Sequence, residues 1–122
     1  MTHKLEKGYI NVTPHNITFF DHETGSTFVV EPSGVVISAT PQETIKKVVG
    51  DITFVKTDFV ANEQAERCLA ELEAKYPDAI IVGSIIAAQA FPGRVMAMTP
   101  APGYERVPPA EKRMNPRKFI TF

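Results

Sequence analysis

Residues 79–99 read AIIVGSIIAAQAFPGRVMAMT and are the most apolar passage of a chain of 122 residues. Ala79–Val82 is wholly apolar, which is typical of a strand buried on both faces. A Gly-Ser pair then precedes a short apolar helix over Ile85–Phe91, a Pro-Gly pair ends it, and Arg94–Thr99 is β-rich again. The passage therefore predicts a β-α-β unit whose crossover is near the minimum length for parallel pairing, about a dozen residues.

A helical period precedes this unit. Largely apolar side chains recur at Ala65, Cys68, Leu69, Leu72 and Tyr76. Spacings of three and four residues place them on one stripe of a helix. Asn62 is a suitable N-cap, and Pro77 ends the pattern. We therefore predict one longer helix between these two residues.

The first half of the chain alternates between β-rich segments and polar turns, which predicts an antiparallel meander. The predicted strands are Tyr9–Val12, Ile17–Asp21, Ser26–Glu31, Val35–Thr40 and Ile52–Lys56. Pro41–Asp51 is weakly patterned, so we expect a loop there. The fold class that follows is α+β, an antiparallel β-meander with one longer and one short helix.

The composition changes after residue 99, because half of the ten prolines lie at or beyond Pro100. Residues 104–118 hold five Lys or Arg against two Glu, a balance of +3, although the whole chain carries −1. We predict a single domain over 1–122: a globular core over 1–99, an extended basic arm over 100–117, and an edge strand over 118–122.

Several classes of function are disfavoured by composition. The net charge of −1 lacks the excess of positive charge that is typical of proteins that bind nucleic acid or an anionic membrane. The longest apolar stretch, Ile80–Phe91, is interrupted and too short to span a bilayer. Cys68 has no cysteine partner, and the three histidines share no helical face, so we predict neither a metal nor a cofactor.

The pentapeptide Asn11-Val12-Thr13-Pro14-His15 lies between two β-rich segments. An imidazole serves as general base, nucleophile or ligand near neutral pH, and Thr13 can donate a hydrogen bond to an anion. The same residues also suit a plain turn, in which Pro14 fixes the bend and His15 only satisfies backbone carbonyls. Both interpretations stay open.

Two further segments have residues that can bind an anion. A Gly83-Ser84 turn before a helix exposes N–H groups to an anion, although Ser84 also serves as a simple helix cap. Neither a Walker loop nor a nucleophile elbow is present. In the arm, arginines suit phosphate or carboxylate, and Tyr104 suits stacking on a base. The alternative is a solvated, charged tail.

Three segments carry a resemblance to a known family: Asn11–His15, the strand-to-helix passage over 81–90, and PGYERVPP over 102–109. Over nearly its whole length the chain resembles a family of small proteins of tailed bacteriophages and prophages with an N-terminal Asn-Leu/Val-Thr-Pro-His motif. The resemblance implies a phage origin and a workplace in the host cytoplasm, where such proteins often act as accessory factors against host machinery or defence. It implies no reaction.

These observations predict a non-enzymatic accessory protein that binds a small anionic ligand such as a nucleotide and sequesters a host defence signal. The alternatives are a protein-binding inhibitor of a host factor or a virion-assembly partner, and a small hydrolase or transferase that uses His15. A homo-oligomer fits each of them. The residues expected to bind the ligand, none of them catalytic, are Asn11, Thr13, His15, Gly83, Ser84, Arg94, Tyr104, Arg106, Lys112 and Arg113.

Overall fold

A computed structural model describes residues 8–122 of the chain. The strands are β1 Tyr9–Asn11, β2 Ile17–Asp21, β3 Ser26–Val30, β4 Thr40–Val49, β5 Ile52–Val60, β6 Ile80–Gly83, β7 Met96–Pro100 and β8 Met114–Ile120. The helices are α1 Glu63–Lys75 and α2 Ile85–Ala90, with a 3-10 turn over Pro109–Glu111. The α+β class is therefore confirmed, and residues 8–122 contain one longer and one short helix.

Six strands form a mixed sheet in the order β1-β6-β7-β8-β2-β3, and β4 and β5 form a separate antiparallel pair. Antiparallel pairing of consecutive strands, as in the predicted meander, is present in β2–β3 and β7–β8. Strands β6 and β7 run parallel, with Val82 opposite Met96, so the β-α-β unit is as predicted. None of the helices in the described residues is long and apolar enough to cross a membrane.

The side chains of alternating residues in this sheet point to opposite faces, where they pack into two separate cores. Ile10 and Ile81 face one core together with α1 and α2, and the stripe of α1 is buried at Ala65, Leu69 and Leu72. Asn62 caps that helix by accepting a hydrogen bond from the Ala65 N–H at 2.8 Å. Both features agree with the predicted helix.

The second core is aromatic. Tyr9 stacks on Phe19 at 5.1 Å between ring centroids and meets Phe28 at 5.9 Å. Because Tyr9 and Phe28 belong to the two edge strands β1 and β3, the sheet must curl until its edges approach each other. A bridge between Asn11 and Pro32 joins the same two edges. The curled sheet thus encloses the rings.

The middle of the chain differs from the sequence-based prediction. Residues 35–39 form no strand but lie beside β1, where the Ile37 N–H donates to the Val12 carbonyl at 3.1 Å. Residues 40–49, expected to be mostly loop, form β4, and β5 pairs with it instead of joining the main sheet. Both strands are solvated on both faces, so they lack the alternation that marks a half-buried strand. We call residues 40–60 the β4–β5 hairpin.

The C-terminal region also differs. The last strand begins at Met114 and lies between β7 and β2, so it is an interior strand rather than an edge strand over 118–122. The irregular segment before it folds back, because the Ala101 N–H donates to the Arg113 carbonyl at 2.8 Å. Pro116 is tolerated inside β8 because the register with β7 is irregular between Met98 and Pro100, and because β8 pairs with β2 at a single position, Phe19 opposite Met114.

Candidate functional site

Asn11 is fully buried at the bend between β1 and β2, and both ends of its side-chain amide form hydrogen bonds within the chain. Its Oδ1 accepts hydrogen bonds from the Thr13 N–H at 2.8 Å and the Thr13 hydroxyl at 2.7 Å. Its Nδ2 donates to the His15 carbonyl at 2.6 Å and the Val30 carbonyl at 3.1 Å. Since Val30 lies in β3, this side chain fastens the two edges of the curled sheet.

His15 takes part in the bend through its backbone. Its N–H lies 3.3 Å from the Thr13 hydroxyl oxygen, and its carbonyl accepts from Asn11. The residue itself is exposed, so the imidazole faces solvent rather than a buried partner. This arrangement is that of a fixed turn.

Gly83 and Ser84 connect β6 to α2, and packing and capping explain both. A Cβ at Gly83 would lie 2.8 Å from Val95 Cγ1 and 3.1 Å from Val12 Cγ2, so only glycine fits without a shift. The Ser84 hydroxyl oxygen accepts from the Ala87 N–H at 3.1 Å and caps the six-residue helix. The backbone is therefore fixed here by close packing and by a local cap.

The bend and the start of α2 meet at one cavity of about 260 Å³. Thr13 and Ser84 line it together, as does Phe59 at the foot of the β4–β5 hairpin. The other lining residues are mostly apolar: Val12, Pro14, Val36, Ile37, Ser38, Ala39 and Ile86. Two of the sequence-predicted binding residues thus converge, but in apolar surroundings.

Arg94 lies elsewhere and is already paired. Its guanidinium donates to both oxygens of Glu66, at 2.7 and 2.6 Å, and to both oxygens of Glu73, at 3.0 and 2.8 Å. The two carboxylates raise the pKa of Arg94, and hydrogen bonding to the guanidinium lowers the pKa of Glu66. Arg94 therefore joins the turn after α2 to α1, and its charge is balanced within the chain.

The predicted arm is a folded loop. The Tyr104 ring packs on Phe20 at 5.7 Å between centroids. The Lys112 ammonium donates to the carbonyls of Tyr104 and Glu105 at 3.3 and 3.1 Å. Arg106 is exposed and Arg113 is half-buried, and neither lines the cavity beside Ser84. The ten predicted residues thus fall into three separate groups.

Sequence reasoning missed an ion pair whose carboxylate is buried and whose guanidinium is partly exposed. The fully buried Asp21 accepts from Arg117 Nε at 2.9 Å and Nη2 at 2.8 Å. Arg117, acting by hydrogen bonding, lowers the pKa of Asp21 to about 2. The partners are 96 positions apart, so no local pattern could have revealed them. Within residues 8–122, no group of three His, Cys, Asp or Glu residues is placed to hold a metal ion.

Sequence reasoning also missed the β4–β5 hairpin as a surface. All of β4 and the first seven residues of β5 are exposed. Six large apolar side chains there have exposed fractions between 44% and 66%: Ile45, Val48, Val49, Ile52, Phe54 and Val55. The register pairs Ile45 with Val55 and Lys47 with Phe54, so consecutive pairs place apolar groups on both faces.

Comparison of the chain with protein-family models, with curated proteins and with solved structures finds no match.

Proposed function

We propose that this chain is a non-enzymatic protein that acts by protein–protein contact, with the β4–β5 hairpin as its contact element. In the phage setting that the family resemblance implies, its partner is a host factor that it inhibits or a protein of virion assembly. The observation that carries the proposal is the set of six exposed apolar side chains on one projecting ribbon.

Such a ribbon is unfavourable unless something covers it. A two-stranded hairpin is marginally stable in water without packing on one face. Contiguous exposed apolar surface on a soluble protein commonly marks an interaction site. The six side chains lie within eleven consecutive positions, 45–55, so they form one surface rather than scattered exposures.

The charge of the hairpin favours an uncharged protein surface as the partner. Residues 40–60 contain three lysines and three acidic residues, so their formal charge is zero. Binding to nucleic acid or to anionic lipid needs an excess of positive charge. The apolar side chains therefore supply the binding energy, and the charged ones supply solubility and orientation.

Retention of proteins from a bacterial lysate on the immobilised chain tests this proposal. The variant Phe54→Asp should lose the retained partner, because a carboxylate would be buried in an apolar contact. The matched control is Val29→Asp, which alters an equally exposed apolar residue on β3, outside the hairpin. If both variants keep the same proteins as the original chain, the hairpin is not the contact element.

A second candidate function is the binding of a small anionic ligand such as a nucleotide in the cavity beside Ser84. Its support is the convergence of two sequence-predicted binding residues, Thr13 and Ser84, on one cavity. Against it, the lining is mostly apolar, and Arg94 is balanced by two glutamates. Thermal-shift measurements with mono-, di- and cyclic nucleotides test it, and no stabilisation at saturating concentration would exclude it.

A further inference from the structure

We infer that the outer half of the β4–β5 hairpin docks on the apolar surface at the foot of the same hairpin in a second copy of this chain. This inference rests on the proposed function and, of the partners named there, favours a protein of assembly, here a second copy of this chain, over a host factor. We call the acceptor surface the base patch. Four of its members line the cavity of about 260 Å³, namely Pro14, Val36, Phe59 and Ile86, and the fifth, Ile85, precedes Ile86 in the chain.

The hairpin does not cover its own base patch. Its apolar side chains begin at Ile45, which is five residues beyond the start of β4. At about 3.3 Å per residue this is roughly 17 Å of extended strand. The two strands stay paired up to Val49 opposite Ile52, with one bulge between Ile45 and Lys47. Every residue from 40 to 58 is exposed, so the ribbon does not fold back on its own foot. The apolar half must therefore be covered by another molecule.

The base patch offers a matching surface. Val36, Ile85 and Ile86 have exposed fractions between 37% and 53% although all are large and apolar. The cavity of about 260 Å³ beside them exceeds the roughly 150 Å³ that accommodates a benzene ring in an engineered apolar cavity. The volume is therefore large enough for a phenyl ring such as that of Phe54. Thr13 and Ser84 contribute hydroxyls already bonded within the chain.

Charge and area favour a second copy over another occupant. The hairpin is neutral overall, and the five members of the base patch carry no charge, so neither surface selects an ionic partner. The exposed surface of the six side chains is on the order of 600 Å² in total, whereas a standard interface buries roughly 800 Å² per partner. Reciprocal exchange uses the hairpin and the base patch of each copy, which brings the area per copy into that range.

Reciprocal exchange also closes the assembly. Each copy gives one hairpin and receives one, which is a twofold arrangement with two equivalent contacts. The same contact made head to tail would instead generate a ring or a filament. Sedimentation of the purified chain distinguishes them, because exchange stops at a dimer.

The mixing of two variants tests the docking. Phe54→Asp removes the hairpin anchor, and Val36→Asp alters the base patch at an exposed position. Each variant alone should be monomeric, with a dimer dissociation constant raised about tenfold or more. An equimolar mixture should regain a heterodimer, weaker than the original dimer, through one of the two contacts, because the intact hairpin of Val36→Asp meets the intact base patch of Phe54→Asp. Val29→Asp, outside both surfaces, should remain a dimer like the original chain.

Three outcomes overturn the inference. These are an original chain that stays monomeric at the highest attainable concentration, a Val36→Asp variant that folds and dimerises normally, and a mixture that regains nothing. Circular dichroism verifies that each variant is folded, and Ile85→Asp provides a second base-patch variant. If the original chain is monomeric but still retains a lysate protein through Phe54, self-docking fails while the proposed function stands.

Discussion

At the scale of single residues, the pentapeptide that looks most reactive owes its shape to Asn11. This amide makes three hydrogen bonds within the bend and a fourth to the Val30 carbonyl of β3, so it fastens the two edges of the curled sheet. The sequence predicted a turn as one of two interpretations, and the turn is what the hydrogen bonds describe. The sequence could not reveal that the turn also closes the sheet, because Val30 is 19 positions away.

Replacing Asn11 by Ala should lower the free energy of unfolding by about 2–4 kcal/mol, because it leaves buried polar groups of the bend and of β3 without partners. Denaturant unfolding followed by circular dichroism measures this change. The matched control is His15→Ala, an exposed position in the same bend, where we expect a change within about 0.5 kcal/mol. Equal effects of the two substitutions would mean that Asn11 does not fasten the sheet.

The Asp21–Arg117 pair gives a pH dependence with a definite sign. Arg117 lowers the pKa of Asp21 from 3.8 to about 2, so the folded chain binds this proton less readily than the unfolded chain. The stabilisation is therefore complete above about pH 4 and is lost as the pH falls toward 2. Denaturant unfolding between pH 2 and 6 measures it. Asp21→Asn should flatten this part of the profile, and an unchanged slope would contradict the assignment.

At the scale of elements, predictability follows burial. The β6-α2-β7 unit and α1 were predictable because their apolar residues face a core and leave a regular pattern. The β4–β5 hairpin was not, because both of its faces are solvated and its pairing is to a strand rather than to a core. The last strand was predicted only in part, as an edge strand over 118–122, because Pro116 and the prolines before it suggested an arm, whereas long-range pairing with β7 decides its place.

Because β8 lies between β7 and β2, removal of residues 114–122 should abolish cooperative unfolding. The deletion separates two halves of the six-stranded sheet and removes Phe119 from the aromatic core. Thermal unfolding followed by near-ultraviolet circular dichroism measures the loss. A truncated chain that still unfolds cooperatively near the original midpoint would show that the last strand is dispensable, as the predicted edge strand would be.

At the scale of the whole molecule, the fold and the proposed contact surface are separate. The two cores on the faces of the main sheet contain no residue of β4 or β5. The exposed apolar surface is concentrated on the hairpin and around its foot. The binding residues expected from sequence fall into three groups, namely the bend with the start of α2, the Arg94 cluster, and the loop before β8, so they do not form one anion site. This separation makes the hairpin removable.

Shortening the hairpin tests this separation most directly. Residues 43–57 are replaced by an Asn-Gly turn that joins Gln42 to Asp58, which are partners in the register. The measurement is the mass of the folded protein by sedimentation velocity. We predict a folded monomer under conditions in which the full chain is a dimer. A shortened chain that folds and still sediments as a dimer would contradict the account.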